Sequence, residues 1–323
     1  MKVFVDQDRQ SLHNPSGFLV NGIMQPNPEI PERMVRLLSG IAQGGHEVLP
    51  PEDHGQGPIA AVHAPRYLKF LSTAHSRWRR IPDATPEIFP NIHPDTRTAS
   101  YPLSVVAQAG FHITDMSCPI GADTWEAARW SANCAVSAAK AVAAGAPAAY
   151  ALCRPPGHHC FSDLAGGFCY LNNSAIAAQY LRARHNRVAI IDVDLHHGNG
   201  TQGIFYQRSD VFTLSIHADP ARFYPFFWGH AHEVGEAAGQ GYNLNIPLPR
   251  GTGDDGFLQG LANGLTHIRA FAPGAVVIAL GLDAYEGDPF GGLSVSTAGF
   301  GRIGQTLATL GLPTVIVQEG VCM

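Results

Sequence analysis

The stretch Val188-Ala189-Ile190-Ile191-Asp192-Val193-Asp194-Leu195-His196-His197-Gly198-Asn199-Gly200 decides the fold class. Its first four residues are continuously apolar, which predicts a strand buried on both faces, because a strand with one wet face alternates apolar with polar. The polar residues begin where that strand must end. The same pattern recurs at Val3 to Val5, Tyr150 to Cys153, Val211 to Ile216, Val276 to Leu280 and Thr314 to Val317. Alanine-rich helical stretches lie between these runs, at Trp125 to Ala144, Asn172 to Arg184, Phe257 to Phe271 and Ala298 to Leu310. Alternating strands and helices predict an α/β fold, with a central, mostly parallel β-sheet flanked by helices on both faces. A single domain over residues 1–323 is expected, with a long loop insertion at about 82–123 where Pro, His, Asp and Thr break all periodicity.

Composition agrees with a compact, loop-rich globular protein. Apolar residues make up 45% and charged residues 15% of the 323, and 35 Gly and 24 Pro are spread along the chain, which excludes disordered, collagen-like and coiled-coil classes. The net charge is −5 and no basic run exceeds Arg77 to Arg80, so no nucleic-acid partner is expected. No stretch of about 18 apolar residues occurs, so no membrane partner is expected either, and the acidic Met1 to Asp8 does not read as a signal peptide. The six cysteines show no paired zinc-knuckle spacing and read as reduced, in a cytoplasmic protein.

The 16 histidines carry the chemistry. In an open parallel sheet, ligands bind beyond the carboxyl ends of the strands. There the chain places Arg154-Pro155-Pro156-Gly157-His158-His159, then Asp192 to Gly200, then His217-Ala218-Asp219-Pro220, and finally Gly281-Leu282-Asp283. Asp194 and His196 are one residue apart, which in extended backbone aims a carboxylate and an imidazole the same way, and Asp283 offers a third ligand. Two carboxylates and one imidazole leave a coordination position free for water, the condition of a catalytic zinc site. A lone Asp-x-His more often caps a helix or pairs with an arginine; four clusters at successive strand ends argue for ligation. The His158-His159 pair follows a rigid turn, and two imidazoles biased differently by Asp192 and Asn199 can divide the acid and base roles of hydrolysis.

Pro155 to His159, Gly166-Gly167-Phe168-Cys169, Asn172-Asn173, Ile191 to Gly200, and Gly281 to Asp283 with Gly287-Asp288-Pro289 together resemble the zinc-dependent histone deacetylases. The resemblance covers nearly the whole chain. Thr124-Trp125-Glu126-Ala127-Ala128 and Asn199 to Tyr206 are most similar to the bacterial acetylpolyamine amidohydrolase branch. It implies Asp194, His196 and Asp283 as ligands of Zn2+, or of Fe2+ or another divalent ion, and His158 and His159 as the acid/base pair with Asp192 and Asn199 as their partners. It further implies Gly167, Phe168 and Tyr224 as substrate-binding walls of a narrow tunnel, and a structural K+ near Asp192 and Ser215. The implied activity is removal of acetyl groups from acetylpolyamines or acetyl-lysine, the partner a small acetylated amine, and the assembly a homodimer. The arginase pattern fits less well, since its second metal needs acids where this chain has Gly198 and Tyr285.

Two departures from the family pattern bear on substrate and rate. An acid of polyamine-specific relatives falls at or near Ser117, with Asp115 and Asp123 close by. The family motif Glu-Gly-Gly-Tyr reads here Glu319-Gly320-Val321-Cys322, so a thiol replaces the tyrosine that polarises the scissile carbonyl, and the C-terminus reads as truncated. Loss of one base in the coding sequence would produce this ending. The expectation is weak turnover, with a catalytically impaired zinc-binding relative as the alternative.

Overall fold

In a computed structural model, residues 1–98 and 100–320 are described. Their elements in chain order are β1 (Lys2–Phe4), α1 (Gln7–Leu12), β2 (Gly17–Val20), β3 (Ile23–Pro26), α2 (Glu32–Gln43), β4 (Glu47–Leu49), α3 (Gly57–Ala60), α4 (Pro65–Trp78), α5 (Val105–His112) and α6 (Thr124–Ala143). There follow β5 (Ala148–Ala151), α7 (Asn173–Leu181), β6 (Val188–Asp192), α8 (Asn199–Phe205), β7 (Val211–Ala218), β8 (Asn243–Leu248), α9 (Asp254–Phe271), β9 (Ala275–Leu280), α10 (Thr297–Ala308) and β10 (Thr314–Gln318).

Eight strands form one sheet in the order β4-β1-β5-β10-β9-β6-β7-β8, every neighbouring pair parallel. Every residue of β6 and β7 is buried. Residue parity divides the core. Val188 and Ile190 face α6 and α7 along with Val277, Val315 and Val317, while Ala189 and Ile191 face α9 and α10 with Val276 and Ile278. Cys134, Ala135, Ala138, Ala175, Ala177 and Ala178 keep the first of these helix layers close to the sheet. A third cluster joins β1 to α2 through Val3, Val5, Met34 and Ile41.

The topology matters for function at one place. The chain leaves β5, returns three positions away at β6, and only later fills the two-strand gap with β9 and β10. The carboxyl ends of β5, β10, β9 and β6 therefore lie side by side at the point where the winding reverses, which is where such sheets bind ligands.

The segment expected to be an aperiodic loop, 82–123, instead contains α5 and an isolated bridge between Ile88 and Ile120. Six residues of α5 (Val105, Gln108, Ala109, Gly110, Phe111 and His112) are buried, so the helix has no polar stripe to announce its period.

A buried histidine anchors the start of α7. The Asn172 N–H donates to His63 Nε2 at 2.9 Å, so Nδ1 carries the proton and meets the Ser162 carbonyl at 3.2 Å, while the Asn172 side chain caps the helix by accepting from the Ala175 N–H. Burial holds the His63 pKa down at about 4. The unfolded chain takes up this proton near the ordinary value of 6.5 and the native state does not. The His63 contribution is thus fully present above 6.5 and is lost as pH falls towards 4; it amounts to about 3 kcal/mol. Urea unfolding between pH 7 and 4 is expected to show this decline, flattened in His63→Gln.

Candidate active site

Asp194, His196 and Asp283 come together beyond the ends of β6 and β9, with one ligand atom from each lying within 4.8 Å of the others. His196 Nδ1 is 3.0 Å from Asp283 Oδ2 and 3.3 Å from Asp194 Oδ1. The pair Asp194 and His196 does not lie in extended backbone as expected. Residues 193–198 bend away from the strand, and Asp194 Oδ1 accepts the His196 N–H at 2.8 Å, a turn closed by the aspartate itself. The other oxygens of the two carboxylates are fixed by backbone: Gly320 N–H reaches Asp194 Oδ2 at 2.7 Å and Leu195 N–H reaches Asp283 Oδ1 at 3.0 Å. Gly281 is required here, because a Cβ would be driven into the Asp194 carboxylate.

This donor set suits a divalent cation. Two buried carboxylates facing one imidazole nitrogen carry an excess of negative charge that the backbone donors offset only in part. Burial together with the Asp194 charge raises the Asp283 pKa, the signature of two acids that one cation can relieve.

His158 and His159, after β5, stand beside this trio with ring centroids 4.0 Å apart. His158 Nδ1 is 2.9 Å from Asp192 Oδ2, and its Nε2 is 3.9 Å from Asp194 Oδ1. His159 Nδ1 is 2.7 Å from Asn199 Oδ1, at the first turn of α8. The two partners split the pair. Burial opposes charge on His158, but the Asp192 and Asp194 carboxylates outweigh it and hold the pKa up at about 10. Burial, reinforced by positive charge on His158 and His196, drives His159 well below its ordinary value. Adjacent imidazoles thus present one cationic donor and one neutral acceptor.

The trio and the histidine pair line one cavity of about 570 Å³. Phe168 and Tyr224 wall it, as does Gly167, whose missing Cβ leaves room for both the His159 ring and the Tyr224 hydroxyl. Phe168, at φ 68°, packs edge-on against Phe18 of β2 at 5.5 Å. Phe223 stacks on His196 at 5.2 Å. The third cluster does not join the site: His217 is spent on Ser215 and the Gly229 carbonyl, and exposed Asp219 caps the turn to Ala221. Cys322 lies outside the described residues.

Glu319 has a structural part that sequence reading missed. Fully buried after β10, it accepts the Gly157 and His158 N–H groups at 2.7 and 3.0 Å and the Ser174 hydroxyl at 2.7 Å, locking the turn that presents both histidines. Burial lifts its pKa to about 7. The signal was an acid directly after an apolar strand. Glu29, paired with Arg33 at 2.6 Å and lining the same cavity, had no sequence signal.

A family model described as the histone deacetylase domain matches residues 27–320. The acetylpolyamine amidohydrolase of Burkholderia pseudomallei is 51% identical over 312 residues, covering 96% of this chain and 91% of the relative. The acetylpolyamine amidohydrolase of Mycoplana ramosa is 39% identical over 323 residues, covering 99% and 94%. The crystal structure of acetylpolyamine aminohydrolase from Burkholderia pseudomallei superimposes with a TM-score of 0.97 at 50% identity, covering 100% of this chain and 94% of that one.

Proposed function

Since the chain belongs to the histone deacetylase family, we propose that this amide hydrolase removes acetyl groups from small acetylated amines, acetylpolyamines foremost. Convergence of Asp194, His196 and Asp283 with the His158 and His159 pair at one cavity carries the reading. The three ligands suit Zn2+, which when bound supplies Lewis acidity to the scissile carbonyl and to the attacking water.

The chain's own groups divide the proton work. Asn199 accepts from His159 Nδ1, which leaves Nε2 as the basic nitrogen that takes the proton of water. His158, kept cationic by Asp192, stabilises the oxyanion and returns a proton to the departing amine. Phe168, Tyr224 and Gly167 line the cavity and offer an apolar wall to an alkylamine chain. Ser215 lies across from Asp192 in the β6–β7 register, which supports a K+ ion near that aspartate.

A homodimer is proposed on Leu103 and Ile92, exposed apolar residues of the 82–123 segment that a second copy would cover. Among the described residues five cysteines are free and buried, which supports a reducing, cytoplasmic setting. Among the described residues no helix is long and apolar enough to cross a membrane.

Metal analysis of purified protein is expected to find about one divalent ion per chain, and a panel of acetylputrescine, acetylspermidine and an acetyl-lysine peptide is expected to give the highest kcat/KM on the polyamines. Metal-loaded protein that hydrolyses none of the three would overturn the reading.

A further inference from the structure

One carboxylate on the cavity wall has no part in this proton chemistry. Asp115 accepts the Tyr224 hydroxyl at 2.7 Å, the Gly167 N–H at 3.1 Å and the Ser117 N–H at 2.8 Å. The Thr114 hydroxyl adds a contact at 3.1 Å that it shares with the Ala165 carbonyl. These donors come from three segments: the loop after α5, the glycine turn before Phe168, and the loop after β7. With its lone pairs so engaged, the carboxylate acts as a clasp between loops. Tyr224, its partner 109 residues away, stands edge-on to His159 at 4.9 Å. Burial and the Asp115 charge push the phenol pKa well up, so it stays a donor through the physiological range.

Two cavities meet at this clasp. The active-site cavity of about 570 Å³ lies on one side. On the other is a chamber of about 700 Å³, open to solvent, whose walls include Phe161, Ile204, Tyr206, Trp228 and the exposed Phe227. Thr114, Asp115, Tyr224 and Phe226 line both.

We propose that the Asp115–Tyr224 hydrogen bond is a partition that sets substrate width: closed, it confines the tunnel to unbranched amines; removed, it opens an aromatic chamber that takes amines bearing an aryl group. Asp115 is a positioning residue that acts through Tyr224, a charge-assisted bond being strong enough to fix the ring. The substrate arm of the proposal rests on the amidohydrolase reading above; the cavity arm does not.

The cavity arm uses crystals of the full chain soaked with a naphthylmethyl amine. Tyr224→Phe, which leaves the backbone contacts of Asp115 intact, and Asp115→Ala are both expected to join the chambers and show the aryl group in the aromatic one. Chambers that stay separate in both variants overturn the partition, whatever the protein hydrolyses. The kinetic arm compares a linear acetylated diamine with its N-aryl-methyl analogue. The aryl-to-linear ratio of kcat/KM is expected to rise about tenfold in each variant, through KM, and no further in the double variant. An unchanged ratio, or additive effects in the double variant, overturns it. Wild-type protein inactive on both substrates refutes the amidohydrolase reading and leaves the partition to be judged by the crystals.

Discussion

Asp283→Ala is expected to strip the site of its divalent ion and to lower turnover by on the order of 10³-fold or more, beyond the usual loss of a single oxyanion donor. The argument is one of charge and number. Three side chains converge on the site, and removing an anionic one leaves a single carboxylate and an imidazole, too few to displace the hydration shell of a zinc-sized ion. Asp283→Asn keeps an oxygen for the Leu195 N–H, so its fold is retained while the charge is lost. Metal content by elemental mass spectrometry, with circular dichroism as the control for folding, reads the result. Full metal retention in Asp283→Ala would falsify the ligand assignment.

His159→Ala is expected to cost about 10²–10⁴ in kcat with the metal still bound, the range of a positioned general base. Asn199→Ala, which removes only the acceptor that orients the ring, is expected to cost about 10–100-fold. The pH profile separates the two histidines. Asp192 holds His158 in its cationic form, so replacing it by Asn lowers the His158 pKa and moves the alkaline limb of kcat/KM to lower pH. The acid limb, set by His159, is expected to move far less. An alkaline limb that stays in place in Asp192→Asn would show that His158 is not the acid.

Much of this protein is written locally. The apolar runs of β6, β7 and β9 announce strands buried on both faces, and the polar residues immediately after them announce where a ligand must lie, since side-chain direction and strand ends follow from a few adjacent residues. The pairing of Asp194 with His196 was legible for the same reason, although an aspartate-closed turn, not extended backbone, brings it about.

Other elements gave weak local signals. β4 is a three-residue edge strand, and β8 buries Asn243 and Asn245 and carries Pro247 at the other edge, so neither reads as an apolar run. Only the tertiary structure decided the rest. Asp283 reaches His196 because β9 is inserted beside β6, Glu319 clamps the histidine turn because β10 is inserted beside β5, and Asp115 ties Tyr224 across 109 residues of chain. A residue's neighbours along the chain set its backbone and the side its side chain takes; which distant group it meets is set by strand order and by loops closing over a common core, and those contacts leave no mark in local spacing.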